Sequence, residues 1–211
     1  MTRSRAGFSI RCSWIGTDES FKQIIRNVAR GQQVTDETLV EEMVRKLLYW
    51  YKRDGRVIRA ADPRNLFRML DAALDEGEKL ADVLTMDLVE RVYRQYPLSL
   101  EKDATGYSVT EVTEEEFRSS FQEEAAKHGV PAERADELAG QALAYFRAQG
   151  RFLRPVDAGN LFAMADGARP AEEPLAQFLT SESLDALLAE YPNFTPADAD
   201  RMRGACGLGR E

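Results

Sequence analysis

The sequence predicts a mainly α-helical fold made of two homologous four-helix units in tandem, each preceded by a short extended segment. Three observations lead to this prediction. The 211-residue chain repeats itself at a fixed offset, its apolar residues recur at helical spacing, and only two short stretches, 8–14 and 107–112, have the composition of strands. The length suits one large domain or two small ones.

The internal repeat is the strongest of these signals. A shift of 95 residues aligns 48–97 with 143–192 without a gap, and 18 of the 50 aligned positions are identical, against about three expected by chance from average composition. The best stretch pairs Gly-Arg-Val-Ile-Arg at 55–59 with Gly-Arg-Phe-Leu-Arg at 150–154. The chain is therefore interpreted as two copies of one unit.

The repeat sets the predicted domain limits. They are a first helical domain over 1–97 (copy 1), a linker over 98–106, a second helical domain over 107–192 (copy 2) and a flexible tail over 193–211. The halves differ in charge: 1–100 contains 17 Lys and Arg against 15 Asp and Glu, whereas 101–211 contains 11 against 21. We therefore expect the surfaces of the two copies to differ in charge.

Each copy contains start and stop residues for four helices. In copy 1 they are, in order, Thr17 and Gly31, Thr35 and Asp54, Asp62 and Gly77, and Thr85 and Pro97. In copy 2, Thr113 with Glu116 predicts a capping box, Pro131 opens the second helix, and Asp157 caps the third. Asp62 and Asp157 are thus both predicted as N-caps of the third helix, and Pro63 follows in the first turn.

The sequence Asp-Pro-Arg-Asn-Leu at 62–66 opens the third helix of copy 1. Together with the order of the helices, it resembles the C-terminal helical lid of AAA+ ATPases, and Arg64 falls on the position of the sensor-2 arginine. Copy 2 has Gly159 at that position. The resemblance implies two tandem lids, a nucleotide contact at Arg64, and an AAA+ ATPase as partner, because lids in that family pack against neighbouring subunits. Pairing of Arg64 with Asp62 or Asp71 is the alternative.

The sequence predicts no enzyme, cofactor or metal. No glycine is followed by lysine, so the phosphate-binding loop of an ATPase is missing. A single histidine, His128, and two distant cysteines, Cys12 and Cys206, have no catalytic or metal-ligand spacing. No apolar signal core follows the basic N-terminus, and a cytoplasmic location is expected.

A basic stretch from Arg45 to Arg68 supplies the interaction candidates. It holds eight basic residues and two acidic ones, with aromatic residues between them. The candidates are Tyr49, Trp50, Lys52, Arg53, Arg56 and Arg59. The favoured hypothesis is a non-catalytic protein-interaction or regulatory module that binds an AAA+ ATPase or a second copy of itself, with Trp50 exposed, so that Trp50→Ala weakens association. Nucleic-acid binding by the basic stretch is the alternative.

Overall fold

The computed structural model describes residues 16–97 and 110–205, the last four by their backbone only. Within these residues the protein is mainly helical, as the sequence predicts, and eleven helices form. They are α1 (Asp18–Gly31), α2 (Glu37–Arg53), α3 (Asp62–Ala72), α4 (Leu80–Val83), α5 (Met86–Gln95), α6 (Glu114–Lys127), α7 (Ala132–Ala148), α8 (Asp157–Ala168), α9 (Leu175–Phe178), α10 (Ser181–Glu190) and α11 (Pro196–Ala205). No helix of the described chain is long and apolar enough to cross a membrane.

The helix bounds follow the sequence repeat. Helices α2 to α5 begin 95 residues before α7 to α10, and α1 begins 96 residues before α6. The same helix pairs pack in each copy: the first helix on the second and third, and the last helix of the repeat on the second and third. The domain limits themselves stay a prediction.

Two apolar cores correspond to the two copies. The core of copy 1 is built around Phe21, Met43, Tyr51 and Phe67, and that of copy 2 around Phe121 and other residues of α6 to α10. Because each helix has one apolar stripe, burying these stripes against one another removes most large aliphatic and aromatic side chains from water. The apolar positions at helical spacing in the sequence are the ones that fill the cores.

Most predicted helix starts are confirmed, with one correction. The hydroxyl oxygens of Thr17 and Thr85 accept from backbone N–H groups at 3.1 and 3.3 Å, and the capping box at Thr113 is present. The prediction of Asp62 and Asp157 as N-caps is wrong: each is the first helical residue, without a side-chain capping bond at the preceding position. Both carboxylates turn inward instead, because arginine and tyrosine groups of the same copy bind them.

Three further features differ from the sequence prediction or limit it. The one-turn helices α4 and α9 were not predicted, so the described part of each copy has five helices rather than four. Helix α11 forms within the predicted flexible tail, where Phe194 is buried against Phe152. The linker and the strand candidate 8–14 lie outside the described residues. Of the candidate at 107–112, the structure describes 110–112, where the backbone N–H of Val112 donates to the Leu153 carbonyl at 3.1 Å.

Candidate functional site

The most similar residues of the repeat build a buried carboxylate in copy 2. Asp157 is fully buried, and its Oδ1 lies 2.8 Å from Nη2 of both Arg151 and Arg154. The hydroxyl of Tyr191 donates to the same oxygen at 2.9 Å, and the side-chain amide of Asn160 donates to that hydroxyl at 3.1 Å. The network ties the loop before α8 to the end of α10.

Copy 1 contains the corresponding carboxylate with one arginine fewer. Asp62 is fully buried and accepts from the backbone N–H of Arg59 at 2.8 Å, from its Nε at 2.9 Å and from the Tyr96 hydroxyl at 2.9 Å. Arg56 points elsewhere: its Nε lies 3.5 Å from Oδ2 of Asp54. The Tyr93 hydroxyl donates to the same Asp54 oxygen at 2.8 Å.

These carboxylates are suited to a structural role. Burial alone raises the pKa of Asp157, but the charges of Arg154 and Arg151 outweigh this effect and hold its pKa below the ordinary value. The group is therefore ionised at neutral pH and fixed by hydrogen bonds. The adjoining glycines, Gly55 and Gly150, both have φ of +60°, a left-handed conformation that other residues adopt at a cost. The requirement for this conformation explains why both copies have glycine at this position.

The two copies meet where α2 lies on α8, the most extensive helix–helix contact of the described chain. A methyl group at Gly167 would lie 2.7 Å from the Arg45 carbonyl oxygen and still closer to Cβ of Tyr49, so only glycine allows this approach. Arg45 Nη1 donates to the Asp166 carbonyl at 3.0 Å, and the Tyr49 hydroxyl donates to a carboxylate oxygen of Glu190. Burial and this hydrogen bond raise the pKa of Tyr49 to about 12.

A cleft of about 440 Å³ opens beside this junction. Lys52 and Arg56 line it from copy 1, and Val156 and Gly159 from copy 2. Val156, with 38% of its surface exposed, is the one exposed large aliphatic residue among those described, and an added side chain at Gly159 would meet no atom within 4 Å. The cleft thus brings the C-terminal end of α2 beside the N-terminal end of α8, so the two helices run antiparallel.

A second groove recurs in both copies. In copy 2 it lies between α8, α9 and α10, has a volume of about 360 Å³, and is closed on one side by Tyr49. In copy 1 a groove of about 430 Å³ is lined by the counterparts of most of those residues. These counterparts are Ala73, Val83, Thr85, Asp87, Leu88 and Arg91. No helix lies along the copy 1 groove as α2 lies along that of copy 2 in the described chain.

The predicted aromatic candidates are not free surface residues. Trp50 is only 7% exposed and packs in the first core, 5.2 Å from the Tyr93 ring, so its predicted exposed position is wrong. Tyr49 is half-buried at the junction of the copies. The sequence could not separate these two neighbours because both lie near an apolar stripe of α2 and only the position of α8 distinguishes them.

The four predicted basic candidates lie close to carboxylates. Lys52 is 2.6 Å from Asp18, Arg53 is 2.9 Å from Asp54, and Arg59 is 2.9 Å from Asp62; the pairing of Arg56 is given above. The stretch therefore presents less unpaired positive charge than its composition suggests.

Arg64 lies in the first turn of α3, as predicted, and is exposed. Asp62 binds Arg59 rather than Arg64, and no ion pair of Arg64 occurs within the described residues. Arg64, Arg68 and Ala72 are spaced four residues apart and are all exposed, and together they form the outer face of α3. The positions in copy 2 that correspond to this face are Gly159, Ala163 and Gly167, where α2 packs. This series of small residues was the missed sequence signal for a helix contact.

Comparison with known proteins finds no matching family model, curated protein or solved structure.

Proposed function

We propose that the chain is a non-catalytic protein-interaction module that binds a helix of a partner protein on the outer face of α3. The observation that carries this proposal is the packing of α2 on α8. The same face of the unit holds a helix in copy 2, with backbone-close contact at Gly167, and it is exposed in copy 1. A surface built for helix packing in one copy supports the same use in the other.

The partner that we propose is an AAA+ ATPase. The support is the resemblance of each copy to the lid of that family, which is an argument from analogy of fold. Arg64 then contacts a partner protein, since the described residues include no phosphate-binding loop against which it could act.

The described carboxylates support a role without catalysis. Asp62 and Asp157 are fully buried and bound by arginine side chains of their own copy, so both are engaged in structural ion pairs. The alternative of nucleic-acid binding by 45–68 receives less support, because Lys52, Arg53 and Arg59 form close ion pairs.

The test is affinity capture of the intact tagged chain from its native lysate with nuclease present, comparing wild type with Arg64→Glu/Arg68→Glu. We expect an AAA+ ATPase to be recovered with the wild type and to fall at least tenfold with the variant. The matched control is Arg30→Glu/Arg94→Glu, which reverses two exposed charges outside the outer face of α3. Equal recovery of the ATPase with both variants, or recovery of no ATPase by the wild type, contradicts the proposal.

A further inference from the structure

The internal junction shows how a helix docks on this face of the unit. Helix α2 lies antiparallel to α8, with Arg45 and Tyr49 beside Gly167 and with Lys52 sharing the cleft with Gly159. The docking helix therefore presents a large side chain over position 167 and basic groups beside position 159. Lys52 is paired with Asp18 in this cleft, and positions 159 and 163 of α8 carry no charge.

The corresponding positions of copy 1 carry positive charge. Arg64 and Arg68 replace Gly159 and Ala163, and both are exposed without an ion pair among the described residues. The α2 of a second copy is not available to dock here, because its docking face is already covered by α8 of its own chain.

Helix α7 is the counterpart of α2 in copy 2, and its surface is also unsuited to docking on the outer face of α3. On α7, Gly140 and Ala144 replace Arg45 and Tyr49, and Arg147 replaces Lys52. At the other end of α7, Glu133 and Glu137 are exposed. In the register of the internal junction, Arg147 meets the arginines of α3, and the glutamates come near Asp71 and Glu76. Both ends of a head-to-tail contact between two chains are therefore repulsive.

We infer that the outer face of α3 selects an acidic helix of a different protein and rejects a second copy of this chain. The helix runs antiparallel to α3 and sets carboxylates against Arg64 and Arg68, which can bind them through two parallel hydrogen bonds. It places a large side chain over Ala72, at the rim of the copy 1 groove, as α2 places Tyr49. The inference rests on the proposed function and specifies the chemistry of its partner.

The methyl group of Ala72 sets one further requirement. At Gly167 the helices touch through their backbones, and a methyl group there would collide with α2. Ala72 therefore keeps the partner helix farther from α3 than α2 lies from α8. Long side chains, glutamate rather than aspartate, span the additional distance to the arginines.

The test uses two fluorescein-labelled synthetic helices added to the intact chain. Both carry a tyrosine in a neutral background; one has glutamate three and seven residues after it, so that an antiparallel helix with its tyrosine over Ala72 sets the carboxylates toward Arg68 and Arg64, and its twin has lysine at both positions. Fluorescence anisotropy is expected to show at least tenfold tighter binding of the glutamate peptide. The preference should reverse with Arg64→Glu/Arg68→Glu, persist with Arg30→Glu/Arg94→Glu, and shrink with added salt.

Equal affinity for the two peptides would overturn the inferred preference for an acidic helix. It would not affect the proposed function, which the capture of an ATPase tests separately. Sedimentation velocity provides the second measurement: the wild-type chain should show no dimer that depends on this face. A dimer that disappears with Arg64→Glu/Arg68→Glu would show that the face accepts a second copy and would overturn the inference.

Discussion

The two copies hold the same buried carboxylate in different ways. In copy 2, Asp157 is bound by two arginines, Arg151 and Arg154, whose side chains are only 2% and 4% exposed. In copy 1, Asp62 is bound by Arg59 alone, and that side chain is 40% exposed. The repeated residues thus fix where the carboxylate lies but not how many charges surround it.

The difference originates at neighbouring positions outside the shared motif. Asp54 of copy 1 accepts the Tyr93 hydroxyl and draws Arg56 to itself. Copy 2 has Gln149 and Leu188 at those positions, so the arginine corresponding to Arg56 has no second carboxylate and turns onto Asp157.

The rings of copy 2 make this turn favourable. The guanidinium carbon of Arg151 lies 4.5 Å from the ring centre of Tyr191 and 4.9 Å from that of Phe146. A cation over an aromatic face gains electrostatic energy that partly offsets its loss of hydration. The differences at positions 149 and 188, together with these rings, accompany the change from a half-exposed ion pair to a buried charge cluster.

The largest expected effect is that of removing the charge in copy 2. Asp157→Asn removes the buried carboxylate that both Arg151 and Arg154 bind, and we expect it to lower the free energy of unfolding by about 3–5 kcal/mol. Asp62→Asn should cost less, because Arg59 can turn toward water. Urea unfolding of the two variants measures the difference, and equal losses would remove the contrast between the copies.

Trp50→Ala tests the corrected position of that residue. Because the ring is buried in the first core, we expect a loss of about 3–5 kcal/mol in the free energy of unfolding. The matched change in copy 2, Tyr145→Ala, removes a half-buried ring and should cost less. An unchanged thermal midpoint for Trp50→Ala would contradict the buried position of this ring.

Gly167→Ala sharpens the comparison of the two outer faces. The added methyl group collides with α2, and overpacking of this kind costs about 1–3 kcal/mol. At the corresponding position of copy 1, Ala72→Gly meets no such contact and should lose no more than about 1 kcal/mol of helix propensity. Thermal unfolding followed by circular dichroism measures both, and a stabilised Gly167→Ala variant would contradict the close helix contact.

The smallest effect is a dependence on pH. The pKa of Asp157 is lower in the folded chain, so its ionised form stabilises the fold. That contribution is complete above the unfolded-state pKa of about 3.9 and is lost as the pH falls through the folded-state pKa. Wild-type stability should therefore fall more steeply below about pH 4 than that of Asp157→Asn, as urea midpoints at several pH values would show.

The sequence predicted the helices well because their determinants are local. Threonine caps, such as Thr17 and Thr113, and the apolar stripes act within one or two turns, and they appear in the structure as predicted. The buried role of Asp62 was missed because a capping aspartate and a buried aspartate look alike before a helix. Only Tyr96, 34 residues away, shows which one it is.

The candidate site depended on contacts between the copies and was harder to predict. Trp50 and Tyr49 are adjacent, yet one lies in the first core and the other faces Gly167 across the junction. Arg53 and Arg59 are counted as a basic patch in the sequence, but folding brings each beside a carboxylate. Conversely, Arg64 and Arg68 gain significance only because α8 shows what that face contacts.

Helix α2 belongs to two packing environments at once. Its apolar stripe fills the first core, while Tyr49 packs against both cores. Separation of the copies would leave α8 uncovered and expose a face of α2, so neither copy can melt while its neighbour keeps a native surface. We therefore expect the two copies to unfold together, with calorimetric and van't Hoff enthalpies of unfolding that coincide.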